Sequence, residues 1–144
     1  MNVKIKKLDE RAVIPSYGTA GAAGADLYVF SDNDIEILPH RTVLVRTGIS
    51  IEIPDGLVGF IFARSGLATK SGLAPANKVG VIDSDYRGEI MVPLHNHTDE
   101  KKLIKPCERV AQLVLVPYVK AEFDLNDDLS YTERDKGGFG STGK

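Results

Sequence analysis

Short apolar segments separated by turn-forming residues constrain the fold of this chain more than any other feature of its sequence. Seven prolines and fourteen glycines divide the chain at intervals of about ten residues. Residues 49–53 alternate apolar and polar side chains, and residues 42–47 are rich in β-branched side chains, and both patterns favour strands. Strands of this length and spacing are typical of antiparallel sandwiches and barrels, so the sequence predicts an all-β fold.

The strand pattern recurs along most of the chain, whereas one segment only carries the pattern of a helix. Strands are predicted at residues 3–8, 26–30, 35–37, 42–47, 49–53, 57–63, 78–82, 88–94, 102–104 and 109–116. Ser65 can cap a short helix that runs to Ser71 and ends at Gly72. The expected architecture is therefore a β-sandwich or barrel with one short helix.

The length of the chain and a change in composition near its end predict a single domain with three parts. A chain of 15.6 kDa can bury about two-thirds of its unfolded surface in one core. Within the single domain 1–144, we expect a β core at residues 1–118, an acidic connector at 119–136 and a mobile arm at 137–144. The arm is half glycine, and ordering such a segment by itself costs more entropy than it gains in contacts.

Charge and N-terminal composition exclude several classes of partner. The formal net charge of -2 provides no overall field that would attract nucleic acid or an anionic membrane. The first residues alternate lysine with apolar side chains and precede no apolar run, so we expect neither a signal peptide nor a membrane span. Together with the lone Cys107, this predicts a soluble protein of the cytoplasm or another intracellular, reducing compartment.

The stretch between residues 80 and 90 is the first candidate for chemistry. Its apolar ends predict two short strands that enter and leave a tight turn holding Asp83, Asp85 and Tyr86. A carboxylate beside an aromatic ring, between glycines that admit a ligand to the backbone, suits general-base chemistry on a flat polar substrate. The alternative is a surface hairpin whose aspartates hydrogen-bond within their own turn.

Two further segments are candidates for binding an anion. Arg64, Ser65 and Gly66 stand at the predicted helix start, where a guanidinium, a hydroxyl and backbone amides can surround a phosphate; an ordinary capped helix is the alternative. Residues 138–144 spell most of a P-loop motif but lack the flanking strand and helix that the motif needs. Their amides could still wrap a phosphate, with Phe139 packing on the ligand, and a disordered terminus is the alternative.

Isolated polar residues carry weaker signals. Asp26, after a glycine-rich loop, could hold water on a magnesium ion or merely cap a turn. Gln112 stands in an apolar run, so its side chain must face solvent or meet a polar partner. His95 and His97 do not predict a metal site, because such sites need three or four converging ligands.

Taken together, five segments resemble the motifs of the trimeric dUTPases, the deoxyuridine triphosphate nucleotidohydrolases. In order, the segments are residues 23–27, residues 63–68 with Lys70 and Gly72, residues 80–88, residues 106–112, and Arg134 with residues 137–143. They occur in the family's order and cover nearly the whole chain. The departures are Ala63, where the family frequently has proline, and Ser71, where it often has histidine.

The resemblance implies a distorted jelly-roll-like subunit that assembles as a homotrimer with three shared active sites. Each site would take the third motif from one chain, the first, second and fourth chiefly from a neighbour, and the arm from the remaining chain. Asp83 would activate a water that attacks the α-phosphorus of dUTP, releasing dUMP and pyrophosphate. The reaction would keep uracil out of DNA and supply dUMP for dTMP synthesis. The implied partner is the small-molecule substrate dUTP, and neither nucleic acid nor a membrane is expected to bind.

The resemblance also assigns binding roles. The substrate triphosphate would provide most of the ligands to Mg²⁺, and Asp26 would contact the ion through water. The residues implied for the phosphates are Arg64, Ser65, Gly66, Gln112, Arg134, Ser141 and Thr142. Those implied for uracil and deoxyribose are Asn77, Val81, Ile82, Asp83, Tyr86, Met91, Phe139 and Gly140.

Two rival functions stay open on the sequence. A dCTP deaminase shares the fold family and binds a related nucleotide, but it would release ammonia. A catalytically silent β-sandwich would bind a nucleotide or a protein as a regulatory module. The arm with Phe139 and the turn at residues 83–86 favour hydrolysis over deamination, and Asp83 argues against a silent module.

Overall fold

The computed structural model describes residues 1–138, which form short antiparallel strands and one helix. The strands are β1 Lys4–Lys7, β2 Ser16–Tyr17, β3 Ala25–Tyr28, β4 Ile35–Ile37, β5 Thr42–Arg46, β6 Ile49–Glu52, β7 Leu57–Ala63, β8 Leu73–Pro75, β9 Gly80–Ile82, β10 Met91–Asn96, β11 Lys102–Ile104 and β12 Arg109–Pro117. Helix α1 spans Ser65–Ser71. The prediction of an all-β fold with one short helix is confirmed, while residues 139–144 of the predicted arm lie outside the described residues.

A five-stranded sheet positions most of the candidate site residues. Its strand order is β2-β3-β12-β7-β9, with β12 paired to β3 on one side and to β7 on the other. A three-stranded sheet of order β5-β10-β8 and the strand pairs β1-β6 and β11-β4 complete the fold. Strand β12 is apolar over most of its length, which suits its central place in the larger sheet.

Apolar side chains from both sheets form the core. Leu27 of β3, Val45 of β5 and Leu94 of β10 are fully buried, as are Ile37 and Val110. Along β10, buried and partly exposed residues alternate one by one, as expected for a strand with one face on the core. The alternation in the sequence therefore places Val92, Leu94 and Asn96 on the core face of β10 and leaves the other face partly exposed.

The helix occupies the predicted residues, but its capping differs from the prediction. Arg64, with extended backbone angles, holds the N-cap position and makes no side-chain cap, so the prediction of Ser65 as the cap was wrong. Ser65 is instead the first helical residue, and its carbonyl oxygen accepts a hydrogen bond from the Thr69 hydroxyl at 2.7 Å. Gly72 ends the helix with φ 66°, the left-handed conformation that glycine adopts without strain.

The two strands around Asp83 do not form the predicted hairpin. Strand β9 pairs with β7 in the larger sheet, whereas β10 lies between β5 and β8 in the smaller one. Residues 83–90, named here the crossing loop, therefore pass from one sheet to the other. The prediction failed because alternation identifies strands without identifying their partners, and the three-residue strand β8 gave too short a pattern to be recognised.

After β12 the chain leaves the core. Its large apolar side chains between residues 119 and 131 are between 85% and 98% exposed: Val119, Phe123, Leu125, Leu129 and Tyr131. In residues 1–138, no helix combines the length and the apolar character needed to cross a membrane. The division into core, connector and arm stays a prediction.

Candidate active site

A cluster of one carboxylate and two guanidinium groups lies where β3, β7 and β12 meet. Asp26 of β3 is paired with Gln112 of β12, and Arg64 directly follows β7, which pairs with β12 on its other side. Asp26 accepts a hydrogen bond from Arg64 Nε at 2.8 Å through Oδ1 and from Arg109 Nη1 at 3.1 Å through Oδ2. The two arginines exceed the single carboxylate in charge, so the cluster is suited to an anion.

Arg109 is a member of this cluster that the sequence did not reveal. It stands at the start of β12, and the register between β12 and β3 shifts between Arg109 and Ala111. This irregularity breaks the simple alternation from which neighbouring side chains can be inferred. Arg109 lies in the fourth motif segment, residues 106–112, but the motif assigned it no role, and its ion pair with Asp26 now places it in the cluster.

Gln112 meets a polar partner instead of facing solvent. Its Nε2 donates a hydrogen bond to the carbonyl oxygen of Ala63 at 3.0 Å, which holds the amide next to Arg64. Gly24 makes room for this side chain, because a Cβ at Gly24 would lie 2.7 Å from Gln112 Oε1. A larger residue at position 24 would therefore force the Gln112 side chain to move.

These residues surround an open cavity of about 260 Å³, named here the cationic cavity. Its lining residues are Gly18, Ala22, Gly24, Asp26, Arg64, Ser65, Gly66, Arg109 and Gln112. A Cβ at Gly66 would meet no atom within 4 Å, so open space and not packing surrounds this glycine. Four of the residues implied for phosphate binding thus line one cavity: Arg64, Ser65, Gly66 and Gln112.

A second cavity of about 260 Å³ lies beside the crossing loop and is named here the loop cavity. Its lining residues are Leu44, Val81, Ile82, Asp83, Tyr86, Glu89 and Met91, five of which the resemblance assigns to uracil, deoxyribose or catalysis. On its other side, Asp83 also lines a larger groove of about 510 Å³ with Phe60 and Tyr118. Within residues 1–138, the Asp83 carboxylate makes no side-chain hydrogen bond and is available to a ligand.

The crossing loop holds Tyr86 at the edge of the loop cavity. Its hydroxyl donates to the carbonyl oxygen of Glu89 at 3.0 Å, and its backbone N–H donates to the carbonyl oxygen of Asp83 at 3.2 Å. A Cβ at Gly88 would overlap the Tyr86 hydroxyl and ring, so a larger residue there would displace the ring. Asn77 lies near the start of β9, with its amide nitrogen 3.4 Å from where a Gly80 Cβ would stand, and does not line the loop cavity.

The structure does not bring the two halves of the predicted site together within one chain. The cationic cavity and the two cavities beside Asp83 share no lining residue. Arg134 lies in the C-terminal segment, where its Nε donates to the carbonyl oxygen of Gly137 at 2.9 Å, and it lines none of these cavities. Phe139, Gly140, Ser141 and Thr142 lie outside the described residues.

Among residues 1–138, no group of three or more histidine, cysteine, aspartate or glutamate side chains is arranged to hold a metal ion. Both oxygens of Asp26 already accept hydrogen bonds from arginine. Each oxygen keeps a second lone pair, so the carboxylate can still accept a hydrogen bond from water bound to a metal. This donor set fits an ion held mainly by a ligand, with Asp26 in indirect contact.

Comparison with known proteins identifies the family. The family model described as dUTPase matches residues 10–143. This chain belongs to the dUTPase family. Among its relatives, the deoxyuridine 5'-triphosphate nucleotidohydrolase of Desulfitobacterium hafniense strain DCB-2 is 49% identical over 147 residues, covering 99% of this chain and 97% of the relative. The enzyme of the same name from Acinetobacter baumannii ATCC 17978 is 49% identical over 149 residues, covering 100% and 99%.

The fold agrees with solved structures of the dUTPase family. The dUTPase of Staphylococcus bacteriophage 80alpha, solved with dUPNHPP, superposes with a TM-score of 0.91 over 99% of each chain at 26% identity. The resemblance stated from the sequence motifs is confirmed, and with it the jelly-roll-like β fold. The roles of individual residues in the two cavities stay predictions.

Proposed function

We propose that this protein hydrolyses dUTP to dUMP and pyrophosphate, as the names of its relatives state for them. The observation that carries the proposal is the position of Asp83. Its carboxylate has no side-chain hydrogen bond in residues 1–138 and borders the loop cavity, whose other lining residues are four apolar side chains, Tyr86 and Glu89. A carboxylate that is not engaged elsewhere can accept a proton from a water molecule held beside a bound nucleotide.

In the proposed reaction, Asp83 orients a water molecule and takes its proton as the oxygen attacks the α-phosphorus. The bond from the α-phosphorus to the bridging oxygen breaks, and pyrophosphate leaves with the electron pair. General-base assistance of this kind contributes about a hundredfold to ten-thousandfold. The remaining acceleration must come from the groups that stabilise the charge on the leaving pyrophosphate.

The cationic cavity supplies such groups. Arg64 and Arg109 bring positive charge, Gln112 brings an amide, and Ser65 and Gly66 bring a hydroxyl and a backbone N–H. Arg134, Ser141 and Thr142 complete the proposed phosphate shell. Bound Mg²⁺ would withdraw charge from the phosphate oxygens. Asp26, with both oxygens tied to arginines, orients those arginines and can accept hydrogen bonds from water around the ion.

The edge position of β9 supports recognition of uracil by backbone groups. In the described chain β9 pairs with β7 on one side only, so its outer N–H and C=O groups are free to pair with a ligand. Uracil presents acceptors and a donor in an order that such an edge can match, together with Asn77 and the Met91 backbone. Cytosine reverses part of this order, which leaves buried groups unpaired and is strongly rejected. In the proposal, Tyr86 packs against the deoxyribose where a ribose 2′-hydroxyl would stand, while Phe139 and Gly140 cover the base.

We further propose that the active form is a homotrimer with shared sites. Within one chain the cationic cavity and the loop cavity share no lining residue, and this supports an assembly in which a neighbouring chain brings its cationic cavity beside Asp83. The connector supports it as well, since Val119, Phe123 and Leu125 are at least 92% exposed and alternate with polar residues in the manner of a strand. Covering these side chains on a neighbour would remove a large apolar area from water.

Mixing two inactive variants tests the shared site directly. Asp83→Asn and Arg64→Ala each remove one half of the proposed site. After dissociation and reassembly of an equal mixture, about one quarter of the sites in a random trimer would combine an intact Asp83 with an intact Arg64 from another chain. Recovery of activity near this fraction supports the shared site, whereas no recovery in verified mixed trimers would refute it.

A product assay tests the reaction itself. The protein is incubated with dUTP, dCTP, dTTP and UTP in turn, with Mg²⁺ present, and pyrophosphate and ammonia are measured. We expect pyrophosphate from dUTP far faster than from the other nucleotides. Ammonia from dCTP would identify a deaminase, and binding of dUTP without turnover would identify a regulatory module. In the cell, the proposed activity belongs in the cytoplasm, where it would keep uracil out of DNA and supply dUMP for dTMP synthesis.

A further inference from the structure

Glu89 fastens the C-terminal end of the crossing loop to the turn between β5 and β6. Its Oε1 accepts a hydrogen bond from the backbone N–H of Gly48 at 2.7 Å, and its Oε2 accepts one from Arg46 Nε at 2.9 Å. The side chain is only 13% exposed. The next residue, Ile90, donates its backbone N–H to the carbonyl oxygen of Ile49 at 2.9 Å. The loop is therefore tied to the turn by both a side chain and the backbone.

The partner Arg46 is itself held in place. Its guanidinium carbon lies 5.2 Å from the centre of the Phe30 ring, within the range of a cation–π interaction. Arg46 is 55% exposed, however, whereas the Gly48 amide lies in a partly buried contact with Glu89. Water can replace the arginine more readily than it can replace the amide. Of the two contacts, the hydrogen bond to Gly48 therefore has the greater effect on the position of Glu89.

The backbone of Glu89 in turn sets the position of Tyr86. The Tyr86 hydroxyl donates to the Glu89 carbonyl oxygen at 3.0 Å, and the ring lies over Gly88, where a Cβ would overlap it. A shift of residue 89 would therefore move the hydroxyl or break its hydrogen bond. Tyr86 and Glu89 both line the loop cavity, so such a shift changes the wall of the cavity that receives the sugar in the proposed function.

We infer that Glu89 is a positioning residue for sugar selection: through Gly48 and Arg46, it fixes the crossing loop so that Tyr86 excludes a ribose 2′-hydroxyl. The inference rests on the proposed hydrolysis of dUTP. What selects against ribose is the position of the ring, so the length of the residue 89 side chain matters more than its charge. A shorter side chain cannot reach the Gly48 amide without pulling the loop towards the turn.

This reasoning orders the substitutions at residue 89. Glutamine has the same length as glutamate and keeps an oxygen for the Gly48 amide, while the exposed Arg46 can turn its guanidinium towards water. Glu89→Gln should therefore retain most of the selectivity. Glu89→Asp keeps the charge but loses one methylene of reach, and Glu89→Ala removes both contacts. A displacement of about 1 Å can cost up to a hundredfold in a positioned site, so we expect both to lower selectivity by about tenfold.

The experiment measures kcat/KM for dUTP and for UTP, together with the melting temperature, for wild type and each variant. Tyr86→Leu gives the selectivity that remains when the ring is absent. Glu36→Gln is the matched control, because Glu36 is also a glutamate paired with a basic residue, Lys101, but stands on β4, which pairs with β11. We expect the ratio of dUTP to UTP to fall in Glu89→Ala and Glu89→Asp, and to stay near wild type in Glu89→Gln and Glu36→Gln.

The outcomes separate positioning from mere stabilisation. Lower melting temperatures with an unchanged dUTP to UTP ratio in both shortened variants would show that Glu89 only stabilises the fold. If Glu89→Ala does not fold, Glu89→Asp decides alone. A ratio that falls as far in Glu89→Gln as in Glu89→Asp would assign the effect to charge and overturn the inference. A wild-type protein that does not hydrolyse dUTP would overturn the proposed function, and with it this inference.

Discussion

Replacing Asp26 by asparagine tests the cluster that lines the cationic cavity. The carboxylate, whose side chain is 12% exposed, accepts hydrogen bonds from Arg64 and Arg109 at 2.8 and 3.1 Å. A hydrogen bond to a charged group contributes about 1.5–3 kcal/mol, and asparagine keeps one acceptor oxygen, so one bond and the negative charge are lost. The arginine side chains are 27% and 49% exposed, so water compensates in part. We therefore expect the free energy of unfolding to fall by about 1–2 kcal/mol.

The same substitution should also slow turnover. The asparagine amide donates where the carboxylate accepted, so it repels one guanidinium and turns that arginine away from the phosphates. We expect kcat/KM for dUTP to fall at least about tenfold, because each 1.4 kcal/mol of lost transition-state interaction is tenfold in rate. The assays are pyrophosphate release and the melting temperature at a fixed protein concentration, which should fall by about 3–8 °C.

Glu52→Gln serves as the control for removing a carboxylate from an ion pair. Its partner Lys4 is 81% exposed, so water screens this surface pair and its loss should change stability little. If Asp26→Asn matched the control in melting temperature and matched wild type in turnover, the two arginines would not depend on Asp26. The ion pairs of Asp26 with the two arginines would then no longer support phosphate binding in the cationic cavity.

Three other changes probe separate parts of the proposal. Asp83→Asn should fold normally yet hydrolyse dUTP at least about a hundredfold more slowly, and undiminished turnover would remove Asp83 from the mechanism. Deleting residues 137–144 should leave a folded trimer without useful activity, by size-exclusion chromatography and pyrophosphate assay, so an active truncation would contradict a role for the arm. Gly24→Ala should weaken dUTP binding at least about fivefold, because the added Cβ would stand 2.7 Å from Gln112 Oε1 and displace that side chain. Unchanged affinity in a calorimetric titration would show that dUTP binding does not depend on the position of Gln112.

The strands were predictable where the sequence pattern is local. The predicted strand at residues 57–63 coincides with β7 Leu57–Ala63, and the one at 102–104 coincides with β11 Lys102–Ile104. Alternation and turn residues suffice for such segments because they depend on neighbours along the chain. Pairing depends on residues far away in sequence, so the separation of β9 and β10 into two sheets was not predictable from the same pattern.

Local patterns in the sequence marked single residues as candidates, but only the family motifs joined them into one site. Asp26 and Gln112 become neighbours through the register of β3 against β12, over a sequence separation that spacing alone does not relate. The motif resemblance identified both residues without needing the register. The role of Arg109 was not predicted, because it depends on a contact that forms across the irregular pairing at the start of β12.

The proposed recognition of uracil explains why the β9 edge of the larger sheet is left unpaired. An edge strand with exposed apolar residues invites pairing with other chains, and Val81 of β9 is 57% exposed. Covering this edge with the chain's own backbone would remove the groups that can pair with a nucleobase. A short edge strand limits unwanted pairing with other chains, and β9 spans only Gly80–Ile82 before the crossing loop begins at Asp83. An edge just long enough for one base, ending at the proposed general base, therefore meets the needs of both recognition and solubility.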